Sequence, residues 1–101
     1  MTVLALWLEE AGEFEKAETW YRRAAEAGYA RAMFDLGYVL ARRDALAEAE
    51  DWYRRAAAQG DPNAMTNLGL MLQKRGEHAE AQSLFRRAED IRYYRPFLGG
   101  L

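Results

Sequence analysis

The 101-residue chain has no cysteine, only two prolines and one histidine, and no excess of basic charge. Without cysteine no disulfide can staple the fold, and with a single histidine a transition-metal site is not expected. The 14 basic and 16 acidic residues give a formal net charge of −2, so the composition does not favour nucleic acid as a partner. Half of the residues are apolar and 30% are charged, a balance typical of a folded domain.

Long hydrophobic runs are also missing. The run from Val3 to Leu8 is too short to span a bilayer, and Glu9 and Glu10 follow it directly. The run also lacks the basic leader of a secretory signal. We therefore expect no membrane association and no signal peptide, and we expect a cytoplasmic location.

Catalytic patterns are equally scarce. The single histidine, His78, is expected to be a half-buried turn residue and not a ligand. The adjacent carboxylates of Glu50 and Asp51 would point apart on a helix, so they do not form an acid/base pair. Glycine patterns of phosphate loops and dinucleotide folds, and the nucleophile pattern around serine, are absent. The expectation is a chain that is not an enzyme and holds no cofactor and no metal.

A period of 32 residues organises what is present. The segment WYRRAA at 20–25 returns at 52–57, and a weaker copy, LFRRAE, follows at 84–89. A second block, AMFDLG at 32–37, returns as AMTNLG at 64–69. A fixed period of this size is typical of a solenoid, in which each unit buries its apolar face against its neighbours. The pattern favours a binding surface over a closed active-site pocket.

Within each unit, apolar residues recur three and four positions apart, the spacing of an amphipathic helix. Gly28 and Gly60 are placed to end helices with a positive φ, while Asp61 and Pro62 are placed to begin one. Because the connections are short, successive helices should pack antiparallel. The prediction is one all-α domain over 1–101, a solenoid of three antiparallel helical hairpins. The six helices are expected at about 2–11, 14–27, 30–43, 46–59, 62–75 and 77–93. The three units are expected at about 1–29, 30–61 and 62–93, followed by an apolar tail at 94–101.

This arrangement resembles the tetratricopeptide repeat family. The family's spaced leucine, glycine, alanine and aromatic positions are matched twice, by Leu36, Gly37, Ala49, Tyr53 and Ala56 and by Leu68, Gly69, Ala81, Phe85 and Ala88. The segments WYRRAAEAGYARAMFDLG and WYRRAAAQGDPNAMTNLG look like the Sel-one-like branch, although the turn inside each hairpin has tetratricopeptide length. The resemblance implies a superhelix that binds a protein or peptide as an adaptor or scaffold.

In that family the first helix of each hairpin lines a concave groove, which implies a set of partner-binding positions in this chain. They are Leu6, Arg31, Phe34, Tyr38, Arg42, Asn63, Thr66, Leu70 and Gln73. Phe34 and Tyr38 lie four apart and have no aromatic counterpart in the flanking units, so packing common to all units does not explain them. We predict that these two rings contact a ligand. The lysine and asparagine clamp of the family's chaperone-tail binders is missing from these positions.

The opposite, outer face carries an arginine pair in every unit. Glu18 lies four residues before Arg22, and Glu50 stands in the same relation to Arg54. An acidic residue four positions before a basic one stabilises a helix by about 0.2–0.5 kcal/mol. The outer face is therefore predicted to be solvated and self-neutralised, with Asp51 adding a third such pair to Arg55.

Apolar residues at the two ends predict a second possible role. The residues expected to be uncovered are Trp7, Leu8, Tyr93, Tyr94, Phe97 and Leu98. No separate polar capping helix is expected, although solenoids usually need one. The tail either folds back as an apolar cap or packs against another chain. The alternative function is a structural or self-associating segment whose exposed ends stack into oligomers.

Overall fold

The structure, a computed structural model, describes the backbone of residues 14–99 and the side chains of residues 15–93. Five α-helices account for this part of the chain: α1 Phe14–Glu26, α2 Ala30–Arg42, α3 Leu46–Ala58, α4 Pro62–Lys74 and α5 His78–Gly99. The first four end within one residue of the predicted bounds. The helix predicted at 2–11 lies outside the described residues.

The turns between helices follow from residues that accept a positive φ. Gly28 and Gly60 have φ values of 99° and 90°, as predicted for residues that end a helix. Asp44 takes the same conformation with φ of 65° at the turn inside the second hairpin. Asp61 then caps α4, because its carboxylate accepts hydrogen bonds from the amides two and three residues later at 2.9 and 3.3 Å. At each of these turns the chain therefore reverses direction within a few residues.

Successive helices pack against one another, and the extensive contacts among the described helices run between sequential neighbours. This is the contact pattern of a solenoid, and it confirms the all-α fold expected from the repeat. The core between the helices is apolar. Its largest fully buried side chains are Tyr21, Leu36, Val39, Leu40, Met65, Leu68 and Leu72.

The second and third hairpins each close where a glycine allows an aromatic ring to lie on the helix backbone. A Cβ added at Gly37 of α2 would lie 2.7 Å from Cε1 of Tyr53 in α3. One unit later, a Cβ at Gly69 of α4 would lie 2.6 Å from Cε1 of Phe85 in α5. The same side-chain packing therefore occurs in two successive hairpins, one sequence period of 32 residues apart.

Helix α5 begins within one residue of the prediction but is longer than predicted. It runs to Gly99 and not to 93, because no glycine stop occurs before that residue, and it continues through Pro96. The start of the predicted apolar tail is thus part of this helix. His78, expected to be half-buried, is the first residue of this helix and is exposed, because the whole first turn at 78–80 faces solvent.

The outward face of α5 is polar where the preceding hairpins are apolar. Ala25 and Ala57, at matching positions of two earlier helices, are only 1% and 4% exposed. The corresponding residue of α5 is Glu89, which is exposed. Helix α5 itself therefore supplies a polar edge, although no separate capping helix was expected.

Candidate functional site

The two aromatic residues predicted to bind a ligand lie together on α2. The rings of Phe34 and Tyr38 are stacked, with centroids 6.5 Å apart and planes inclined by 26°. Tyr38 is 41% exposed, whereas Phe34 is half-buried and its ring centroid lies 5.9 Å from that of Tyr53. Phe34 thus helps to hold α2 on α3, and Tyr38 presents its ring to solvent.

Arginine side chains flank this aromatic pair on both sides. The guanidinium carbon of Arg31 lies 5.5 Å from the ring centroid of Phe34, and that of Arg42 lies 5.7 Å from the centroid of Tyr38. Both distances are within the range of a cation–π interaction. Arg31 Nε also lies 3.4 Å from a carboxylate oxygen of Asp35, a buried residue one turn further on. The aromatic pair is therefore bracketed by two positive charges.

Helix α4 carries an exposed apolar residue at the position equivalent to Tyr38. Leu70 stands 32 positions after Tyr38 and is 49% exposed. The Thr66 hydroxyl donates to the carbonyl oxygen four residues earlier at 3.0 Å, and the Asn63 side-chain oxygen accepts a hydrogen bond from Arg92 at 3.1 Å. Thr66 and Asn63 thus have partners within the chain, and Leu70 is the exposed large apolar residue of α4.

The remaining predicted site residues divide into two groups. Arg42, Gln73 and Tyr93 are exposed, Tyr93 to 73%. Leu6, Trp7 and Leu8 lie outside the described residues, as do the side chains of Tyr94, Phe97 and Leu98. Sequence reasoning missed Arg92, whose bond to Asn63 joins α5 to α4. No motif marks this pair, because the two residues lie 29 positions apart and belong to different helices.

On the outer face, acidic and basic side chains form a connected network at the junction of the first and second hairpins. Arg22 pairs with Glu18 at 3.3 Å on its own helix and with Glu48 at 2.9 Å on α3. Arg43 also contacts Glu18. The predicted pair of Arg22 and Glu18 is present, and two residues from the next hairpin extend it.

The same network recurs one unit later. Arg54 pairs with Glu50 at 3.1 Å and with Glu80 at 2.8 Å, while Arg75 contacts Glu50. The hydrogen bond from Arg54 lowers the pKa of the Glu80 carboxyl below its usual value, and the bond to Glu80 raises the pKa of Arg54. These two arginines are therefore largely neutralised by the protein itself.

The third pair predicted on this face is not formed. The guanidinium carbon of Arg55 lies 4.7 Å from the ring centroid of Trp52, and Asp51 makes no ion pair with it among the described residues. Trp52 is only 7% exposed, so Arg55 lies against a largely buried indole. Packing on the indole explains why the prediction from spacing alone was wrong here.

Stacked helical hairpins with a 32-residue period, exposed apolar residues at equivalent positions of two first helices and ion-paired arginines on the outer face are the features of an α-solenoid. Two family profiles, both described as tetratricopeptide repeat, match residues 2–64 and 63–92. The first match spans more than half of the chain, and the chain belongs to the tetratricopeptide repeat family. Repeats of this family generally mediate protein–protein interaction and scaffolding. A comparison with curated proteins gives no match.

Two further findings concern the described residues alone. No helix among them is both long and apolar enough to cross a membrane. Within the same part of the chain, no group of three or more histidine, cysteine, aspartate or glutamate side chains is placed to hold a metal ion.

Proposed function

We propose that the chain is a non-catalytic adaptor or scaffold that binds an extended peptide or a helix of a partner protein. The binding surface would be the concave groove of α2 and α4, continued by Leu6 of the first unit. The observation that carries this proposal is the pairing of Tyr38, 41% exposed, with Leu70, 49% exposed, at equivalent positions of neighbouring first helices. Exposed large apolar side chains aligned in this way are typical of a contact surface.

The groove combines an apolar anchor with flanking positive charge. Aromatic residues and arginine dominate the binding energy of protein interfaces. Arg31 and Arg42 already rest on the rings of α2, so ordering them on binding loses less side-chain entropy. A matching partner would place an apolar side chain against Tyr38 and Leu70, with carboxylates near the two guanidinium groups.

Within the family, we propose that the chain is related to the Sel-one-like branch. The repeated WY, AA and G positions support the Sel-one-like branch, whereas the short turns inside the hairpins are those of the main family. We also propose a cytoplasmic location, with a protein or peptide and not nucleic acid as the partner. The net charge of −2 supports that choice.

The test begins with peptides selected against the folded protein from a displayed library, with affinity measured by fluorescence anisotropy. Tyr38→Ala combined with Leu70→Ala should weaken binding by more than about 2 kcal/mol, because both proposed anchors are lost. The fold should survive, since both side chains are substantially exposed. Phe34→Ala is measured separately, because this half-buried ring also contributes to stability.

The matched control is Arg22→Ala on the outer face, which should leave peptide affinity nearly unchanged. The groove proposal would be rejected if the Tyr38 and Leu70 variant stays folded and binds normally while the Arg22 variant loses binding. Circular dichroism of every variant separates lost binding from lost structure.

The alternative function is self-association through the ends, and the 73% exposure of Tyr93 favours it. The polar Glu89 on the same edge opposes it, because an in-register second copy would bury that charge. Light scattering at tens of micromolar distinguishes the two roles. A dimer or larger species that Tyr93→Ser dissolves would support self-association, and a strictly monomeric mass would exclude it.

A further inference from the structure

A second surface lies between α3 and α4, separate from the groove. A cleft of about 470 Å³ opens where the first turn of α3 meets the last turn of α4. Leu46 from α3 and Met71 from α4 supply its apolar walls. Its size falls within the range of about 300–1,000 Å³ found for ligand pockets.

The apolar wall of the cleft is accessible at this junction. Leu46 is 49% exposed, and Met71 is only partly buried. Val39, which holds the position of Met71 one unit earlier, is fully buried. A partly exposed residue at this position is therefore found at the junction between the second and third hairpins and not at the preceding one.

Four charged side chains border the cleft, and they divide into two kinds. Glu50 and Arg75 contact each other, and each has a further ion-pair partner. Asp51 on α3 and Lys74 on α4 make no ion pair among the described residues, and both are exposed. The charges still open to a ligand are thus one carboxylate and one ammonium group on opposite walls.

We propose that this cleft binds a short peptide segment of a partner protein that presents one bulky apolar side chain between a basic and an acidic residue. The apolar side chain would insert between Leu46 and Met71. The basic residue would lie against Asp51 and the acidic residue against Lys74. Charge complementarity of this kind fixes the direction of the peptide and excludes segments with two like charges.

The probes are two acetylated and amidated pentapeptides, Lys-Ser-Phe-Ser-Glu and its reverse, Glu-Ser-Phe-Ser-Lys, titrated into the ¹⁵N-labelled protein. Their control is the first peptide with serine in place of phenylalanine. We expect saturable amide shifts at 46–51 and 71–75 with one of the two directions, and none with the control peptide. No saturable shift with either direction would overturn the proposal.

The chain offers a matched pair of variants for the same titration. Leu46 and Leu70 are each 49% exposed, but only Leu46 lines the cleft. Leu46→Ser should weaken peptide binding about tenfold, because burial of one apolar side chain is lost. Leu70→Ser should leave it unchanged. The opposite result would place the peptide in the groove and overturn the cleft proposal without affecting the groove proposal.

The two open charges are tested by Asp51→Asn and Lys74→Gln. Each should weaken binding about two- to threefold at low salt, and the effect should fade as salt screens exposed charges. Equal affinity for both peptide directions, unchanged by both substitutions, would show that the charges play no part and would contradict the proposed peptide chemistry.

Discussion

Replacing Gly37 by alanine tests the close packing between the two helices of the second hairpin. The added methyl carbon would lie 2.7 and 2.8 Å from two ring carbons of Tyr53, well inside the 3.4 Å at which ordinary contact begins. The ring has little freedom to retreat. It is 2% exposed, it lies 5.9 Å from the ring of Phe34, and its hydroxyl accepts a hydrogen bond from Asn67 at 3.3 Å.

Two opposing terms set the magnitude of this change. Overpacking of a filled core destabilises by about 1–3 kcal/mol. Alanine is a better helix former than glycine by about 1 kcal/mol, which offsets part of that loss. Subtracting the second term from the first, Gly37→Ala should lower the free energy of unfolding by about 0–2 kcal/mol. At about 4–8 °C per kcal/mol for a domain of this size, the expected drop in Tm is at most about 16 °C.

Chemical and thermal unfolding, followed by circular dichroism, measure this loss, and a double-mutant cycle isolates its cause. In a Tyr53→Ala background the clash is gone, so Gly37→Ala should instead stabilise by about 1 kcal/mol. Gly69 and Phe85 give an independent repeat of the cycle in the next hairpin. If Gly37→Ala stabilises the otherwise unaltered chain, the close contact between this glycine and the ring is not present in solution.

Two further predictions concern a buried ring and a surface ion pair. Trp52→Ala should remove about 3–5 kcal/mol, because a 7%-exposed indole leaves a large cavity. Since domains of this size have about 5–15 kcal/mol of stability, its Tm should fall sharply, and an unchanged Tm would place Trp52 at the surface. The hydrogen bond from Arg54 lowers the pKa of the Glu80 carboxyl. The ionised carboxylate therefore stabilises the fold at pH values above its ordinary pKa of 4.5, and this stabilisation is lost as the pH falls through the lowered pKa. Glu80→Gln should flatten this acid-side loss of Tm between pH 3 and 6, and an identical acid slope in the variant would show that the pair adds nothing.

The features predicted from the sequence are those that the 32-residue period repeats. Gly37 and Gly69 recur with an aromatic residue 16 positions later, and both pairs pack as the family spacing implies. Glu18 and Glu50 precede their arginines by one helical turn, and both pairs form. A local pattern that repeats can be recognised from the sequence because the residues of each copy make the same contacts with their neighbours.

Features that occur once were harder to predict. The division between a half-buried Phe34 and an exposed Tyr38 depends on Tyr53 of another helix, which spacing along α2 does not reveal. The cleft between Leu46 and Met71 joins residues 25 positions apart and requires the helix packing to be known. The polar edge at Glu89 depends on which face of α5 corresponds to the face that α3 buries at Ala57, and spacing along α5 alone does not reveal that face.

The groove is tested most directly by amide chemical-shift mapping of the ¹⁵N-labelled protein with a peptide selected against it. The groove proposal predicts saturable amide chemical-shift changes along α2 and α4, concentrated around Tyr38 and Leu70. The amide chemical shifts around Arg22 and Arg54 on the outer face should not change. Shifts confined to the outer face, with α2 and α4 unaffected, would contradict it.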